Sequence, residues 1–313
     1  MVQDNFGFLW VGTRDGLNKY DGDSFRAYLK KRGDSTSLNF NQIVDLELAE
    51  NGDLWVGASN GLSYYDYQAD QFSNYPFPVE DPYFREANDI FTIASKAVII
   101  STTHGLLTFD IQQKTFEENP QFADFADMSV NQFHSSKQYG TWVATTKGLY
   151  IKKPGDMNWV IILALKSINH LQFEQSGVYI STSVGLFKTD VSGESISEIT
   201  LPNNQRYVLA TTRAKNGELW VACNQVVVLG DDDETVEMVF VHDRTDPSSL
   251  SENRAQTLYQ TKDSVMWIGT FGYGMNRYNP DVRIFSYLGI NSRLPLSSNY
   301  VSAIYTANDT IIY

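Results

Sequence analysis

The sequence is poor in cysteine and in positive charge. Cys223 is the single cysteine among 313 residues, which excludes an internal disulfide and a metal site built from several thiolates. The chain has 24 basic and 37 acidic residues, a net charge of −13, and no basic cluster longer than Lys30-Lys31-Arg32. Because nucleic acids and anionic membrane surfaces attract basic clusters, neither is expected as a partner.

Long hydrophobic runs and a leader sequence are also missing. Hydrophobic residues make up 42% of the chain. Even so, no window approaches the roughly 18 uncharged apolar residues of a transmembrane helix. Residues 1–12 lack the basic start and apolar stretch of a signal peptide. These absences predict either a cytosolic protein or a soluble fragment of a longer one.

One phrase is repeated along the whole chain. Its clearest copies are LWVGTRDGLNKYD at 9–21 and LWVGASNGLSYYD at 54–66. Weaker copies follow, and the copy near Cys223 has lost its Gly-Leu pair. The tryptophan of the phrase, or the residue that replaces it, stands at Trp10, Trp55, Ile99, Trp142, Tyr179, Trp220 and Trp267. This period indicates a repeat architecture of seven units of about 43 residues.

The residue pattern of each unit predicts four short strands, which we label a to d in chain order. Strand a is the apolar stretch before the phrase, b is Leu-Trp-Val, c runs from Gly-Leu to Tyr-Asp, and d carries a distal aromatic residue. Asn51-Gly52 and Asp21-Gly22 suit tight turns between strands because they tolerate positive φ. No segment has a sustained helical period. We therefore predict an all-β fold, a seven-bladed β-propeller of four-stranded antiparallel blades, with residues 1–313 as one domain.

The two ends of the chain complement each other. The chain opens at the turn before strand b of a unit whose strand a is missing, and residues 296–304 closely match 37–46. We therefore predict that residues 299–305 pair beside Leu9–Thr13, which completes the first blade, closes the ring and removes exposed sheet edges. Residues 308–313 are then surplus and predict further repeats in a longer protein.

The combined pattern resembles the "two-component regulator propeller" repeat. The units that contain Trp10, Trp55 and Trp267 match it strongly. In that family, such repeats form the extracytoplasmic sensor region of bacterial hybrid histidine kinases and of some GGDEF diguanylate cyclases. The resemblance implies a periplasmic, non-catalytic, ligand-sensing propeller cut from a longer inner-membrane receptor, which acts as a homodimer. It also implies an oligosaccharide as the ligand class.

Most of the repeated residues are explained by structure. We expect the tryptophans to pack between blades, the glycines to shape the b-to-c turns, and the aspartates to stabilise turns, at Asp21, Asp66, Asp110 and Asp190. The acidic run 231–234 predicts a solvated hairpin. The four histidines show no metal-ligand spacing, so neither a metal nor a cofactor is predicted.

The loops that differ between units carry the candidate binding residues. In a propeller the b-to-c and d-to-a loops emerge on one face, around the channel entrance. Their mixed cations, amides and aromatic rings suit a small polar ligand. The candidates are Arg14, Asp15, Asn60, Tyr83, Arg85, His104, Lys147, Arg206, Asn224, Phe271 and Tyr273.

Two other functions remain open from the residues alone. The same face could bind a protein, as in an interaction scaffold. A propeller hydrolase or lyase is the third hypothesis, because blades distant in sequence meet at the channel mouth. However, Gly-x-Ser-x-Gly is absent and Cys223 has no recognisable histidine partner.

Overall fold

The sequence folds into seven antiparallel sheets arranged as a propeller. The computed structural model describes residues 1–78, 86–280, 284–288, 298 and 301–303. Six sheets have four strands, and the sheet of the first blade has five because both ends of the chain contribute a short strand. The predicted seven-bladed architecture is confirmed. No helix among the described residues is long and apolar enough to cross a bilayer.

The strands of the first four blades follow the predicted order. Blade 1 contains Leu9–Thr13, Gly16–Tyr20 and Phe25–Tyr28 as strands b to d. Blade 2 contains Ile43–Leu48, Leu54–Ala58, Gly61–Asp66 and Gln71–Pro76. Blade 3 contains Ala87–Ile93, Ala97–Thr102, Gly105–Asp110 and Thr115–Glu117. Blade 4 contains Val130–Ser136, Gly140–Thr145, Gly148–Lys152 and Val160–Ala164.

The last three blades repeat this arrangement. Blade 5 contains Ile168–Glu174, Gly177–Thr182, Gly185–Thr189 and Ile196–Ile199. Blade 6 contains Ala210–Arg213, Leu219–Ala222, Val226–Leu229 and Val236–Phe240. Blade 7 contains Ala255–Gln260, Met266–Thr270, Met275–Asn279 and Ile284–Leu288. Two short 3-10 helices, Pro120–Phe125 and Pro202–Asn204, lie in connections between blades.

The innermost strand of blade 1 comes from both ends of the chain. Val301–Ala303 pairs with strand b in the register Gly12 to Ala303 and Thr13 to Val301. Val2–Gln3 pairs with the other half of the same strand, opposite Trp10 and Leu9. The sequence pattern indicated only a turn for the opening residues and did not predict this second strand. Of the predicted pairing segment 299–305, residues 299–300 and 304–305 lie outside the described residues.

The repeated tryptophans lie in apolar clusters between neighbouring blades, as predicted. Trp10 is fully buried, and its ring centroid lies 5.4 Å from that of Tyr28 and 5.0 Å from that of Tyr65 in blade 2. Trp142 and Tyr179 are also fully buried. Because strand b is buried on both faces, a continuous apolar run is the pattern that it needs.

The repeated aspartates stabilise the c-to-d turns. Asp21 Oδ1 accepts hydrogen bonds from the backbone N–H groups of Asp23 and Ser24 at 2.9 and 2.6 Å. Asp66 and Asp190 make equivalent bonds in their own blades. The predicted turn role of these carboxylates is therefore confirmed.

The acidic run 231–234 differs from the prediction at one residue. Asp233 is only 8% exposed, and its carboxylate accepts hydrogen bonds from Tyr179, Lys188 and Arg213. Burial opposes its ionisation, but the hydrogen bonds from these three side chains prevail and lower the pKa of Asp233. The prediction of a solvated hairpin is therefore wrong for this carboxylate, which joins blade 6 to blade 5.

Candidate functional site

One face of the ring is built from the b-to-c and d-to-a loops, and we call it the loop face. The b-to-c loops of blades 2 to 5 and 7 each bond through the backbone to the d-to-a loop that leads into their own blade. For example, Ser59 N–H donates to the Gln42 carbonyl at 3.0 Å, and Phe271 N–H donates to the Arg254 carbonyl at 3.1 Å. Thus the predicted candidate loops do share one face, and backbone bonds fix their relative positions.

A threonine at the end of strand b stiffens five of the b-to-c loops. In blade 1 the Thr13 hydroxyl donates to the Gly16 carbonyl at 2.9 Å and accepts from the Asp15 N–H at 3.2 Å. Equivalent hydroxyl-to-carbonyl bonds are made by Thr102, Thr145, Thr182 and Thr270. The repeated Thr of the phrase therefore holds the loop tips in place, a role that the sequence analysis did not assign.

Two of the predicted residues meet at the junction of blades 7 and 1. The Phe271 ring lies 5.4 Å from the Arg14 guanidinium carbon and 4.2 Å from that of Arg254. Such contacts are cation–π interactions. Next to them, Asp15 accepts a hydrogen bond from the Asn41 amide at 3.1 Å. Two guanidinium groups and an aromatic ring therefore form a compact polar cluster on the loop face.

The other predicted residues are spread around the same face. Asn60 and His104 are half-buried in the tips of blades 2 and 3, and Lys147 Nζ lies 3.4 Å from the Asp127 carbonyl oxygen. Arg206, Asn224 and Tyr273 are exposed. Tyr83 and Arg85 lie outside the described residues. Arg14 and Phe271 are in contact, and the use of all these residues by one ligand stays a prediction.

The channel along the ring axis contains a cavity of about 600 Å³. Its wall consists of strand a residues from blades 2 to 7. None of the nine described candidates lines it. The candidates predicted from the sequence therefore lie around the rim of the channel, and its polar wall was not predicted.

Four wall side chains bind the neighbouring blade. Asp45 accepts from the Ile90 N–H and Asp89 accepts from the Phe133 N–H, both at 3.2 Å. Gln132 Oε1 and His170 Nδ1 continue the series, accepting from the N–H groups of the next strand a at 2.6 and 3.5 Å. Since all four occupy the same position of strand a, they form a ladder of hydrogen bonds around the axis.

Three asparagines form a second ladder one residue earlier. The amides of Asn88, Asn131 and Asn169 each donate at 2.7 Å to a backbone carbonyl of the following blade, on Val130, Ile168 and Val208 respectively. The alternation of polar and apolar residues along strand a is the sequence pattern that could have predicted this polar wall. These bonds hold blades 3 to 6 in fixed relative positions.

The channel wall carries three carboxyl groups whose ionisation is disfavoured. Burial raises the pKa of Asp45 to about 6, that of Glu47 to about 8, and that of Asp89 well above its ordinary value. Glu47 also accepts from the N–H and hydroxyl of Thr92 at 2.6 and 2.9 Å. Near neutral pH, therefore, Glu47 holds its proton, and the wall is less negative than its composition implies.

The histidines of the channel are uncharged near neutral pH. Burial lowers the pKa of His134 and of His170 to about 4. No group of three or more His, Cys, Asp or Glu side chains in the described part of the chain is arranged to hold a metal ion.

Cys223 is buried, and burial raises its thiol pKa to about 11. Its Sγ lies 3.1 Å from the Gln225 carbonyl oxygen. Such a thiol is a poor nucleophile.

Comparison with known protein families supports the resemblance noted in the sequence. Residues 249–272 match the family model described as "Two component regulator propeller". The chain contains a two-component regulator propeller repeat. A 37-residue stretch of this propeller is 60% identical to Histidine kinase P4 of Formosa agariphila, which amounts to 12% of this chain and 3% of that protein.

Solved structures of the same fold include two extracellular domains from B. thetaiotaomicron. One is assigned to the hybrid two component system BT3049 and superposes with a TM-score of 0.73 at 23% identity, covering 88% of this chain and 39% of that one. The other is assigned to the one component system BT4673, with a TM-score of 0.70 at 19% identity, covering 96% of this chain and 47% of that one. This propeller thus spans less than half the length of either chain.

A more distant propeller of similar shape is an enzyme. Virginiamycin B lyase from Staphylococcus aureus superposes with a TM-score of 0.61 at 11% identity, covering 85% of this chain and 89% of the lyase. Because all these identities are below 25%, the structural similarities establish only the fold of this chain.

Proposed function

We propose that this chain is an extracytoplasmic ligand-sensing domain of a bacterial signalling receptor, a hybrid histidine kinase or a GGDEF protein, with no catalysis of its own. The regulator propeller repeat carries this proposal, together with the 60% identity to a histidine kinase over 37 residues. Receptors of this type place the sensor in the periplasm and the output domain on the other side of the inner membrane.

The loop face suits a polar ligand such as an oligosaccharide. Arg14, Phe271 and Arg254 provide two planar donors around an aromatic ring, which can bond hydroxyl groups and pack against a sugar ring. Backbone bonds hold the surrounding loops before any ligand arrives. Binding to such a preorganised surface costs little conformational entropy.

Signalling must then come from rearrangement outside the blades. The two hydrogen-bond ladders join successive blades around the channel, so the ring resists internal deformation. A ligand shifts an equilibrium only by binding one arrangement more tightly than the other. We therefore expect the ligand to change how this propeller contacts other domains or a second receptor copy.

The first experiment is a thermal-shift screen of the purified propeller with neutral and acidic oligosaccharides. A compound present at about 100 times its dissociation constant should stabilise the fold by roughly 2.7 kcal/mol. Arg14→Ala and Phe271→Ala should each weaken that compound at least tenfold. Lys96→Ala, an exposed change on the opposite face, should leave its binding unchanged.

Three results would contradict the proposal. Absence of any shift, combined with a stable protein complex captured on the loop face, would support the interaction scaffold instead. Conversion of the bound compound into a product would overturn the non-catalytic assignment. Binding that is unaffected by both loop-face variants would exclude this face as the site.

A further inference from the structure

A second cavity lies on the opposite face of the ring, which is formed by the a-to-b and c-to-d turns and which we call the turn face. This cavity has a volume of about 370 Å³ and lies between blades 2 and 3. Volumes of this size are typical of small-molecule sites. Three aromatic side chains that line it are Trp55, Tyr64 and Tyr75.

The equivalent space between blades 1 and 2 is filled. There, the Trp10 indole Nε1–H donates to Asp4 Oδ2 at 2.7 Å, and the Tyr67 hydroxyl donates to the same oxygen at 2.5 Å. The Tyr67 ring also stands edge-on to Trp10, with 5.9 Å between ring centroids. An acid and a tyrosine therefore close this junction and satisfy the indole N–H.

Both residues are replaced at the next junction. Ala49 stands six residues before Trp55, as Asp4 does before Trp10. The backbone N–H of Ala49 bonds to the carbonyl four residues later, as that of Asp4 does. Similarly, Ile111 follows the buried aromatic of strand c by two residues, at the position of Tyr67. Two smaller apolar residues thus leave the cavity open.

The Trp55 indole N–H has lost its acceptor as a result. Trp55 is 3% exposed and lines the cavity, yet no side chain or carbonyl in the described part of the chain accepts from its Nε1. By contrast, Trp142 donates to the Tyr139 carbonyl at 2.7 Å, and Trp220 donates to Glu218 at 3.3 Å. Because Trp55 lines the cavity, an oxygen of a bound ligand can accept the hydrogen bond from its Nε1–H.

The walls and rim of the cavity define the ligand further. The Tyr64 and Tyr75 rings lie 4.7 and 6.3 Å from that of Trp55, which gives an aromatic surface for a flat molecule. The rim carries one carboxylate, Glu50, and one ammonium group, Lys114. Because the two charges offset each other, neither an anion nor a cation gains a net electrostatic partner.

We propose that this blade 2–3 cavity binds a single neutral ring molecule with an acceptor oxygen at its edge, which accepts the Trp55 Nε1–H while its flat face packs on the tyrosines. A pyranose sugar and an aromatic alcohol share this chemistry. The site lies on the face opposite to the proposed sensing loops, so it is a second site and does not depend on them.

The test uses methyl β-glucopyranoside and benzyl alcohol as separate probes, with binding measured by calorimetry. Binding should also shift the indole ¹H–¹⁵N resonance of Trp55, which is assigned by its absence in Trp55→Phe. That variant keeps an aromatic ring but removes the donor, so we expect five- to tenfold weaker binding. Trp267→Phe is the matched control, because its Nε1 is also unpartnered but is buried in the core.

The decisive variant restores the filled junction. The double change Ala49→Asp and Ile111→Tyr copies the pair from the preceding blade, so it should abolish binding while the melting temperature stays equal or rises. Response to the glucoside alone or to benzyl alcohol alone would support the proposal and identify the source of the ring. No heat and no indole shift with either probe would overturn it, as would unchanged affinity in the double variant or in Trp55→Phe.

Discussion

The ionisation of Glu47 in the channel wall makes the stability of the fold depend on pH. Its carboxyl is buried and has a pKa of about 8, above the ordinary 4.5, because burial penalises the charged form. The folded state therefore prefers the protonated form. Stability from this group is complete below pH 4.5 and is lost progressively as the pH rises through 8.

Glu47→Gln should remove this dependence while keeping the bonds to Thr92. Between pH 6.5 and pH 9 the wild-type chain should lose about 2 kcal/mol of unfolding free energy more than the variant does. Urea unfolding at the two pH values measures this difference. The buried histidines, whose pKa of about 4 lies below the ordinary 6.5, add a slope of the opposite sign near pH 6.5, but this contribution is the same in wild type and variant and cancels in the comparison.

The exposed Glu237 provides the control for this experiment. Glu237→Gln should leave the pH dependence of stability as it is in the wild type. Equal pH slopes in wild type and Glu47→Gln would show that this carboxyl is ionised throughout the range.

At the scale of the strand, the b-to-c turn depends on glycine for close approach as well as for backbone conformation. Gly16 has φ of +110°, and a Cβ there would lie 2.4 Å from Leu29 Cδ2 and 2.8 Å from the Tyr28 carbonyl oxygen. Its N–H donates to the Asn41 carbonyl at 2.7 Å. The turn therefore has to pack tightly against the end of strand d.

Gly16→Ala should lower the unfolding free energy by about 1–3 kcal/mol more than Gly22→Ala does. Gly22 is the matched control because its φ is +103° but no atom lies within 4 Å of a Cβ built there. Denaturant unfolding of both variants separates steric crowding from backbone strain. Equal losses would show that strand d moves away without cost.

At the scale of the whole molecule, the first blade depends on a strand from the other end of the chain. Val301–Ala303 pairs with Leu9–Thr13, and without it half of that strand would be an open sheet edge. Open edges pair readily with other chains. Loss of this strand should therefore both open the ring and promote association between chains.

A chain that ends after residue 298 should unfold at lower denaturant concentration and should self-associate, as measured by light scattering. A chain that ends after residue 305 keeps Val301–Ala303 and should match the full chain in both stability and light scattering. If the two truncated chains behave alike, the pairing of this strand does not contribute to stability.

Local patterns in the sequence were enough to predict the blades. The buried strand b, the turn aspartates such as Asp21 and the glycine of each b-to-c turn are determined by neighbours close in the chain, so each repeat encodes its own hairpins. The same locality predicted which loops share a face, because strand order alone decides that. Asp233 was misjudged because its partners Tyr179 and Lys188 lie in another blade.

The sequence by itself determined the repeat, the strand order and the number of blades, since these follow from short-range patterning of apolar and turn residues. Only the tertiary structure decided which side chains meet between blades. The carboxyl groups of the channel lie 44 or 45 residues from the backbone groups that they bond. Likewise, the cavity beside Trp55 exists because Ala49 and Ile111, one from each neighbouring blade, are both small. These pairings depend on how neighbouring blades pack, and the sequence of a single repeat does not contain that information.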